Sequence, residues 1–305
     1  MKTDLIILGG GPAGLTAGMY AARGRIPVLL LEKGLTGGQM AATELVDNYP
    51  GFGEPILGYD LAQKMEQQAR KFGLEIAQAD VQVVFPTEKG FLLTCDSGDE
   101  YECKAVILST GASPVKLGVP GELELAGKGV SYCAVCDGPF FRDLEVAVVG
   151  GGDSAVEEAI YLSRFASKVH VVHRRDKLRA VKEIQERAFA EPKLSFHWNS
   201  VPTRIIGDKD VQAMELRSVV DGSQVQLPVG GVFFYVGIHA NTGCFRDQVE
   251  TDAGGFVITD EKMACSRKGM FAAGDVRSKI LRQISTAVGD GATAAYSAQL
   301  YLESL

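Results

Sequence analysis

Residues 4–14 read DLIILGGGPAG, a short apolar run followed by a glycine turn. The run predicts a buried parallel strand, and the small residues that follow, to about Arg23, predict a helix. Gly9, Gly11 and Gly14 have the spacing of a dinucleotide fingerprint, whose glycines allow a tight turn and let the backbone approach a pyrophosphate. The helix N-terminus adds free N–H groups for the phosphates.

The next apolar run, Val28 to Leu31, ends at Glu32, 18 residues after Gly14. A carboxylate at this position can accept hydrogen bonds from a ribose. Residues 4–32 therefore predict a Rossmann-like unit that binds a dinucleotide, because a strand, a glycine turn, a helix, a second strand and an acid follow in that order. Its predicted contact residues are Gly9, Gly11, Pro12, Ala13, Gly14 and Glu32.

The same architecture begins again after Leu144. Val146–Val149 predicts a strand, residues 150–155 (GGGDSA) the turn, Val156–Phe165 a helix and Val169–Val172 the next strand. The chain thus carries two dinucleotide-binding units.

The second unit differs at the end of its second strand, where arginines follow instead of an acid. A carboxylate there would repel a 2′-phosphate, whereas the guanidinium groups of Arg174, Arg175 and Arg179 can bind one bidentately. We therefore expect FAD at the first unit and NADPH at the second.

A third signal lies near the C-terminus, where Met270–Ala273 predicts a strand and Gln283 to Leu302 a helix, with Gly274 and Asp275 between them. A carboxylate beside a helix N-terminus can order the ribityl and phosphate end of a flavin. The predicted fold is α/β, with two Rossmann-like dinucleotide-binding domains. Residues 1–112 and 243–305 form the FAD-binding domain, and residues 113–242 form an inserted NADPH-binding domain.

The inserted domain also contains the sequence Cys133-Ala-Val-Cys136-Asp137. Two thiols separated by two residues can close a small disulfide ring, and a lowered pKa makes one of them a nucleophile. A zinc site would need a second ligand pair, and no other Cys-x-x-Cys occurs. Two alternatives remain at this point. One is that the cysteine pair is an inert structural disulfide, and the other is that Asp137 is an ordinary turn carboxylate with no role in proton transfer.

Composition narrows the functional classes. A net charge of -7 argues against a broad nucleic-acid footprint. No stretch approaches the roughly 20 apolar residues of a membrane span, and Leu5–Leu8 is too short for a signal peptide. We expect a cytoplasmic protein without nucleic-acid or membrane partners. Six cysteines in 305 residues do not make a secreted disulfide framework, so Cys95, Cys103, Cys244 and Cys265 are expected as buried thiols.

In this order, the motifs resemble the low-molecular-weight bacterial thioredoxin reductases over essentially the whole chain. The matching segments are Gly9-x-Gly11-Pro12-Ala13-Gly14, Gly37-Gly38-Gln39, Asn48-Tyr49-Pro50-Gly51, Thr110-Gly111-Ala112, Cys133-x-x-Cys136-Asp137-Gly138, residues 150–155, His173-Arg174-Arg175 with Arg179, and Gly274-Asp275 with Arg282-Gln283.

The resemblance implies a homodimeric flavoprotein disulfide reductase, with electrons passing from NADPH through FAD to the cysteine pair and on to thioredoxin or a similar small redoxin. Cys136 would lie nearer the flavin, Cys133 would attack the partner disulfide, and Asp137 would act as acid and base. No metal is expected. The implied flavin residues also include Lys33, Gly37, Gly38, Gln39, Asn48, Ala112, Gly274, Asp275, Arg282, Gln283 and Ile284. The implied NADPH residues are Gly150, Gly152, Asp153, Ser154, His173, Arg174, Arg175 and Arg179.

Three departures from the family pattern stand out: Val135 between the cysteines, no proline in Ile238–Thr242, and Arg267-Lys268 before the last strand. None removes a group that the chemistry needs. The alternatives are the same electron path to another redoxin or a peroxiredoxin, an NADPH oxidase that produces hydrogen peroxide, and a nucleotide-sensing regulator.

Overall fold

A computed structural model describes residues 1–43, 45–46 and 48–305 of the chain. These residues form two compact units. The first consists of Met1–Ser113 with His239–Leu305, and the second is the inserted segment Pro114–Ile238. Among the described residues, no helix has both the length and the apolar character needed to cross a membrane.

The inserted unit is shorter than the predicted segment 113–242, and Asn241 shows why. Its backbone N–H donates to the Gly111 carbonyl at 3.0 Å, and its side-chain Nδ2 donates to the Thr110 carbonyl at 3.0 Å. These bonds hold the residues after Ile238 to the first unit.

The first part of the chain contains two helices, α1 (Pro12–Arg23) and α2 (Gly58–Lys71). Its strands are β1 (Leu5–Leu8), β2 (Val28–Glu32), β3 (Leu45–Val46), β4 (Ile56–Leu57), β5 (Glu75–Gln78), β6 (Val81–Thr87), β7 (Gly90–Cys95), β8 (Glu100–Cys103), β9 (Ala105–Leu108) and β10 (Ala112–Pro114). A 3-10 segment spans Gly38–Ala42.

The inserted unit contains three helices, α3 (Ala134–Asp137), α4 (Asp153–Leu162) and α5 (Lys182–Ala190), with a 3-10 segment at Gly138–Phe141. Its strands are β11 (Val130–Ser131), β12 (Glu145–Val149), β13 (Lys168–Val172), β14 (Leu194–His197), β15 (Ser200–Gly207), β16 (Val211–Ser218), β17 (Gln224–Pro228) and β18 (Gly231–Phe234). Strand β19 (Ile238–Ala240) begins at the last residue of the inserted unit, continues into the first unit and pairs with β10. The helix predicted at Val156–Phe165 begins three residues earlier, because Gly152 already serves as its N-cap.

The C-terminal part adds strand β20 (Met270–Ala272) and helix α6 (Ile284–Glu303), with 3-10 segments at Arg246–Gln248 and Gly274–Val276. β20 completes the sheet of the first unit, whose parallel strands run in the order β20-β9-β1-β2-β5. The C-terminal segment therefore belongs to the first Rossmann-like unit.

Successive side chains of β1 point to opposite faces of the sheet, with helices packed on one face and an antiparallel sheet on the other. Leu5 and Ile7 face α1 and α6, whereas Ile6 and Leu8 face the antiparallel sheet β6-β7-β8. All four side chains are buried, which agrees with the unbroken apolar run in the sequence.

The inserted unit repeats this plan with a parallel sheet in the order β11-β18-β12-β13-β14. Val146 and Val148 of β12 pack against the helices, and Ala147 and Val149 pack against the antiparallel sheet β15-β16-β17. The predicted α/β class with two Rossmann-like units is confirmed.

Candidate functional site

The first glycine turn joins β1 to α1 and leaves the helix N-terminus accessible. Gly9 has φ +97°, and a Cβ on Gly14 would overlap the Gly9 carbonyl oxygen, so both positions require glycine. A Cβ on Gly11 would meet nothing within 4 Å. Since no side chain caps α1 and Pro12 occupies its first turn, its backbone N–H groups are available to a phosphate.

Glu32 closes the same turn from the end of β2. Its carboxylate accepts from the Gly10 N–H at 2.6 Å and from the Gly34 N–H at 2.9 Å. Glu32 thus fixes the glycine turn, a role beyond the ribose contact that its spacing predicts. The adjacent Lys33 is exposed.

Residues 37–39 lie beside this turn. The Gly37 N–H donates to the Gly10 carbonyl at 2.8 Å, and a Cβ built on Gly38 would lie 3.5 Å from the Gly11 Cα. The side-chain Nε2 of Gln39 donates to the Ala112 carbonyl at 2.5 Å. The structure therefore brings Gln39 and Ala112 together with the glycine turn.

A second group of predicted residues gathers at the start of α6. Asn48 Nδ2 donates to Gln283 Oε1 at 3.1 Å, and Gln283 is the N-cap of the helix that begins at Ile284. The Arg282 guanidinium lies 4.0 Å from the centroid of the Phe256 ring, and its Nε donates to the Asp275 carbonyl at 3.3 Å.

Asp275 is the buried acid of this group. Burial raises its pKa, and the charges of Lys279 and Arg282 act in the opposite direction. Among the described residues, its Oδ1 has no hydrogen-bond partner. A buried acceptor without a donor points to a hydroxyl-bearing ligand.

Asp290 on α6 holds the turn before Asp275, and the sequence analysis missed it. Its carboxylate accepts from the Gly274 N–H at 3.0 Å and pairs with Arg277 and Lys279 at 2.8 Å each. All three charged side chains are only 11–12 % exposed. An acid among the small residues of the first half of α6 was the available signal.

These features fit FAD. The accessible helix N-terminus suits a pyrophosphate, the Glu32 carboxylate suits a ribose, and the orphan oxygen of Asp275 suits a ribityl hydroxyl.

The second glycine turn joins β12 to α4. Gly150 has φ +156° and Gly152 is the N-cap of α4. Asp153 accepts the Val181 N–H at 2.7 Å, and the Arg179 N–H donates to the Gly151 carbonyl at 2.6 Å. Asp153 therefore ties the segment after Arg179 to the turn, while Ser154 is exposed.

Arg174, Arg175 and Arg179 are exposed at the end of β13, next to this turn. His173 differs from them because it is buried, and a Cβ on Gly151 would overlap its ring. Burial lowers the pKa of His173, and the three arginines lower it further. His173 thus supports the glycine turn from beneath as a neutral ring, whereas the arginines present charge to a ligand.

Cys133 and Cys136 form a disulfide with their Cα atoms 5.3 Å apart. Cys133 is the N-cap of α3, and the Cys136 N–H donates to the Cys133 Sγ at 3.3 Å. Asp137 accepts the Ser131 hydroxyl at 2.6 Å, and that hydroxyl also accepts the Cys133 N–H at 3.1 Å. Sulfur pair and carboxylate are thereby held in one short segment.

Tyr235, after β18, is a second residue that the sequence analysis missed. Its Oη accepts the Ala134 N–H, between the two cysteines, at 2.5 Å. No sequence pattern signals this contact, since the two residues are 101 positions apart.

The other four cysteines are free; Cys95 and Cys103 are buried, as expected, whereas Cys244 and Cys265 are only half-buried. Burial raises the pKa of Cys103 to about 12, of Cys244 to about 11 and of Cys265 to about 12, and it also raises that of Cys95. A raised pKa favours the protonated thiol over the nucleophilic thiolate at neutral pH. The part of the chain that the structure describes contains no cluster of histidine, cysteine and acidic residues suited to a metal ion.

Comparison with known proteins gives consistent results. Residues 3–291 match the model of the pyridine nucleotide-disulphide oxidoreductase family. A thioredoxin reductase of Listeria innocua is 52% identical over 303 residues, 99% of this chain and 94% of that protein. The Bacillus subtilis thioredoxin reductase is 49% identical over 99% of this chain and 95% of its own length.

Two solved structures of thioredoxin reductases share the fold of this chain. The Streptococcus pyogenes thioredoxin reductase superposes with a TM-score of 0.95 at 49% identity, covering 100% of this chain and 99% of that one. The Giardia duodenalis enzyme has a TM-score of 0.92 at 35% identity, with 99% of each chain covered.

Proposed function

The chain belongs to the pyridine nucleotide-disulphide oxidoreductase family, and from this premise we propose that it is an NADPH-dependent thioredoxin reductase. FAD and NADPH are the cofactors of this group of the family. The proposed reaction converts NADPH, a proton and oxidised thioredoxin into NADP⁺ and dithiol thioredoxin.

One observation carries the proposal. The Cys133–Cys136 disulfide lies in the same compact unit as the second glycine turn and the exposed arginines that follow β13. A purely structural disulfide has no need of a nucleotide site in its own unit, and the other four cysteines are free thiols whose pKa values are raised by burial.

Bound FAD supplies a two-electron relay between NADPH and the disulfide. We assign its binding to the first unit, through Gly9, Gly11, Pro12, Ala13, Gly14, Glu32, Lys33, Gly37, Gly38, Gln39, Asn48, Ala112, Gly274, Asp275, Arg282, Gln283 and Ile284. We assign NADPH to the inserted unit, through Gly150, Gly152, Asp153, Ser154, Arg174, Arg175 and Arg179, with His173 supporting the turn.

Each of the two cysteines has its own role in the proposed thiol exchange. Cys136 would be the cysteine that receives electrons from bound FAD, and reduction would open the disulfide. The Cys133 thiolate attacks one sulfur of the partner disulfide, that S–S bond breaks, and Asp137 protonates the leaving thiolate. Cys136 attacks the Cys133 sulfur of the mixed disulfide and releases the reduced partner. The Cys136 N–H, which points at the Cys133 Sγ, supports this choice because a hydrogen bond to sulfur stabilises its thiolate.

We also propose that the protein is a cytoplasmic homodimer. Large exposed side chains of α6 support the dimer, since Tyr296 is 61% and Leu300 50% exposed. A molar mass near 32.6 kDa from light scattering would contradict the dimer.

The experiment is anaerobic NADPH oxidation with a panel of oxidised redoxins, thioredoxin among them. We expect two thiols per NADPH consumed, with thioredoxin as the fastest acceptor. Cys133→Ser and Cys136→Ser each remove one sulfur that the exchange needs, so both are expected to release no thiols. Cys265→Ser, which removes a half-buried free thiol outside the pair, is the matched control and keeps the wild-type rate.

In a parallel aerobic assay, oxygen uptake that is unaffected by any redoxin and unchanged in Cys133→Ser would contradict the proposal and favour the peroxide-forming oxidase. Thiol release from a peroxiredoxin alone would change the partner and keep the electron path.

A further inference from the structure

Ser131 is a buried hydroxyl residue next to the cysteine pair, and the thiol exchange described above gives it no role. It is the last residue of β11, and only 4% of its surface is exposed. β11 lies beside the parallel strand β18, where Ser131 pairs with the apolar Phe233. Ligand sites of open α/β sheets lie at the carboxyl ends of parallel strands, and Ser131 occupies such an end.

The Ser131 hydroxyl makes hydrogen bonds on both sides. Its oxygen accepts the Cys133 N–H at 3.1 Å, and it donates to Asp137 Oδ2 at 2.6 Å. The Cys133 carbonyl is a second acceptor, at the longer distance of 3.4 Å. A hydroxyl has one proton to donate, and the shorter bond to the carboxylate is the stronger of the two.

The Cys133 N–H, the Ser131 hydroxyl and the Asp137 carboxylate thus form one chain of hydrogen bonds. Donation by the N–H into the hydroxyl oxygen polarises the hydroxyl and makes it a better donor to the carboxylate. The chain joins the cysteine that attacks the partner disulfide to the acid that protonates the leaving thiolate.

Helix α3 alone fixes Asp137 only through its backbone. The helix is a single turn of four residues, and the Asp137 N–H donates to the Cys133 carbonyl at 3.0 Å. This bond leaves the side-chain torsions of Asp137 undetermined. The bond from Ser131, which belongs to the sheet, fixes one oxygen of the carboxyl group and with it the orientation of that group.

We propose that Ser131 is a positioning residue that holds the Asp137 carboxylate in place relative to Cys133 during thiol exchange. The inference rests on the proposed function, in which Asp137 gives a proton to the leaving thiolate. No bond forms or breaks at the Ser131 hydroxyl, which keeps its own proton. Proton transfer requires the acid within hydrogen-bond reach of the leaving sulfur, so a misplaced carboxyl group slows the exchange.

The first test is Ser131→Ala, which removes the hydroxyl. With thioredoxin as acceptor, kcat should fall about ten- to a hundred-fold, the value of one hydrogen bond to a charged group, and the KM for thioredoxin should stay unchanged. Stopped-flow reduction of the bound flavin by NADPH should keep the wild-type rate, because that step precedes thiol exchange.

Two further variants compare side chains of one shape with and without the hydroxyl. Ser131→Thr keeps the hydroxyl on a residue that suits a strand and should restore most of kcat. Ser131→Val replaces that hydroxyl with a methyl group and should be as slow as Ser131→Ala. This pair keeps the test decisive if the alanine variant fails to fold.

A double-mutant cycle with Asp137→Ala separates positioning from a general structural role. If Ser131 acts through the carboxylate, Ser131→Ala should lower kcat by less than about twofold in the Asp137→Ala background. The matched control is Ser163→Ala at the end of α4, which removes a comparably buried hydroxyl that donates to the Ile160 carbonyl at 2.8 Å. It should keep the wild-type kcat.

A wild-type kcat in folded Ser131→Ala or Ser131→Val would overturn the inference. So would an equal loss of kcat with and without the Asp137 carboxylate, or slowed flavin reduction, since both indicate that Ser131 only supports the unit as a whole. A wild type that releases no thiols from any redoxin would refute the proposed function itself.

Discussion

Arg174, Arg175 and Arg179 are exposed cations that follow β13, and we propose that they bind the nucleotide. Because a guanidinium group binds a 2′-phosphate through charge-assisted hydrogen bonds, each Arg→Ala change at 174 or 175 should raise the KM for NADPH about ten- to a hundred-fold. The KM for NADH should change little.

Steady-state kinetics with both nucleotides tests this specificity. Arg187→Ala, which removes an exposed arginine from α5, is the matched control. Equal effects on NADPH and NADH would mean that these arginines do not recognise the 2′-phosphate.

Asp290 acts by holding neighbouring groups in place. Its replacement by asparagine keeps an acceptor for the Gly274 N–H but leaves Arg277 and Lys279, both nearly buried, without their counter-charge. The turn that carries Asp275 should loosen, and the Kd for FAD should rise about tenfold or more, the value of one charge-assisted hydrogen bond.

Fluorescence titration of the apoprotein with FAD measures this change. Asp4→Asn, which breaks the more exposed ion pair with Lys104, is the control and should keep the wild-type Kd. An unchanged Kd in Asp290→Asn would show that the turn does not depend on the acid.

At the scale of elements, the edge of the inserted sheet carries a histidine network. His170 of β13 lies 2.8 Å from Glu145 Oε2, 3.0 Å from the Ser195 hydroxyl and 3.0 Å from His197 Nε2. Burial lowers the pKa of His197, and the charges of His170 and Lys168 lower it further. The folded state thus favours neutral His197.

This shift predicts a pH effect with a definite sign. Between the lowered folded pKa and the ordinary value of 6.5, the unfolded state binds more protons at His197, so stability is lost as the pH falls. Asparagine takes up no proton, so His197→Asn escapes this loss. Its free energy of unfolding should therefore rise relative to that of the wild type as the pH falls from about 7.5 to 5.5. The pKa of Glu145 is also lowered from its ordinary value of 4.5. That shift changes the stability only below about pH 4.5, which is outside this window.

Urea unfolding at several pH values measures the difference. His239→Asn, at an exposed histidine in the other unit, should show no such trend. Parallel stability curves for His197→Asn and the wild type would contradict the prediction.

Local patterns predicted the elements that surround both glycine turns. The apolar run before Gly9 became β1, and the segment expected to be helical from Gln283 became α6 with Gln283 as its N-cap. Contacts between distant elements were not predictable in this way. Tyr235 and Asp290 act through residues far along the chain, and the position of His173 beneath Gly151 depends on how two strand ends pack.

At the scale of the whole molecule, the insertion separates the two nucleotide functions. Asp275 and the first glycine turn lie in one unit, whereas the cysteine pair and the arginines lie in the other. The central claim is that electrons from NADPH reach Cys133 and Cys136 and no other cysteine. The six cysteines of the chain allow this claim to be tested within one protein.

The most direct measurement is differential alkylation under anaerobic conditions. The FAD-loaded protein is treated with a thiol-alkylating reagent before and after one equivalent of NADPH, and each cysteine is quantified by peptide mass spectrometry. The account predicts that NADPH makes Cys133 and Cys136 reactive and leaves Cys95, Cys103, Cys244 and Cys265 unchanged. No NADPH-dependent labelling of Cys133 and Cys136 would contradict it.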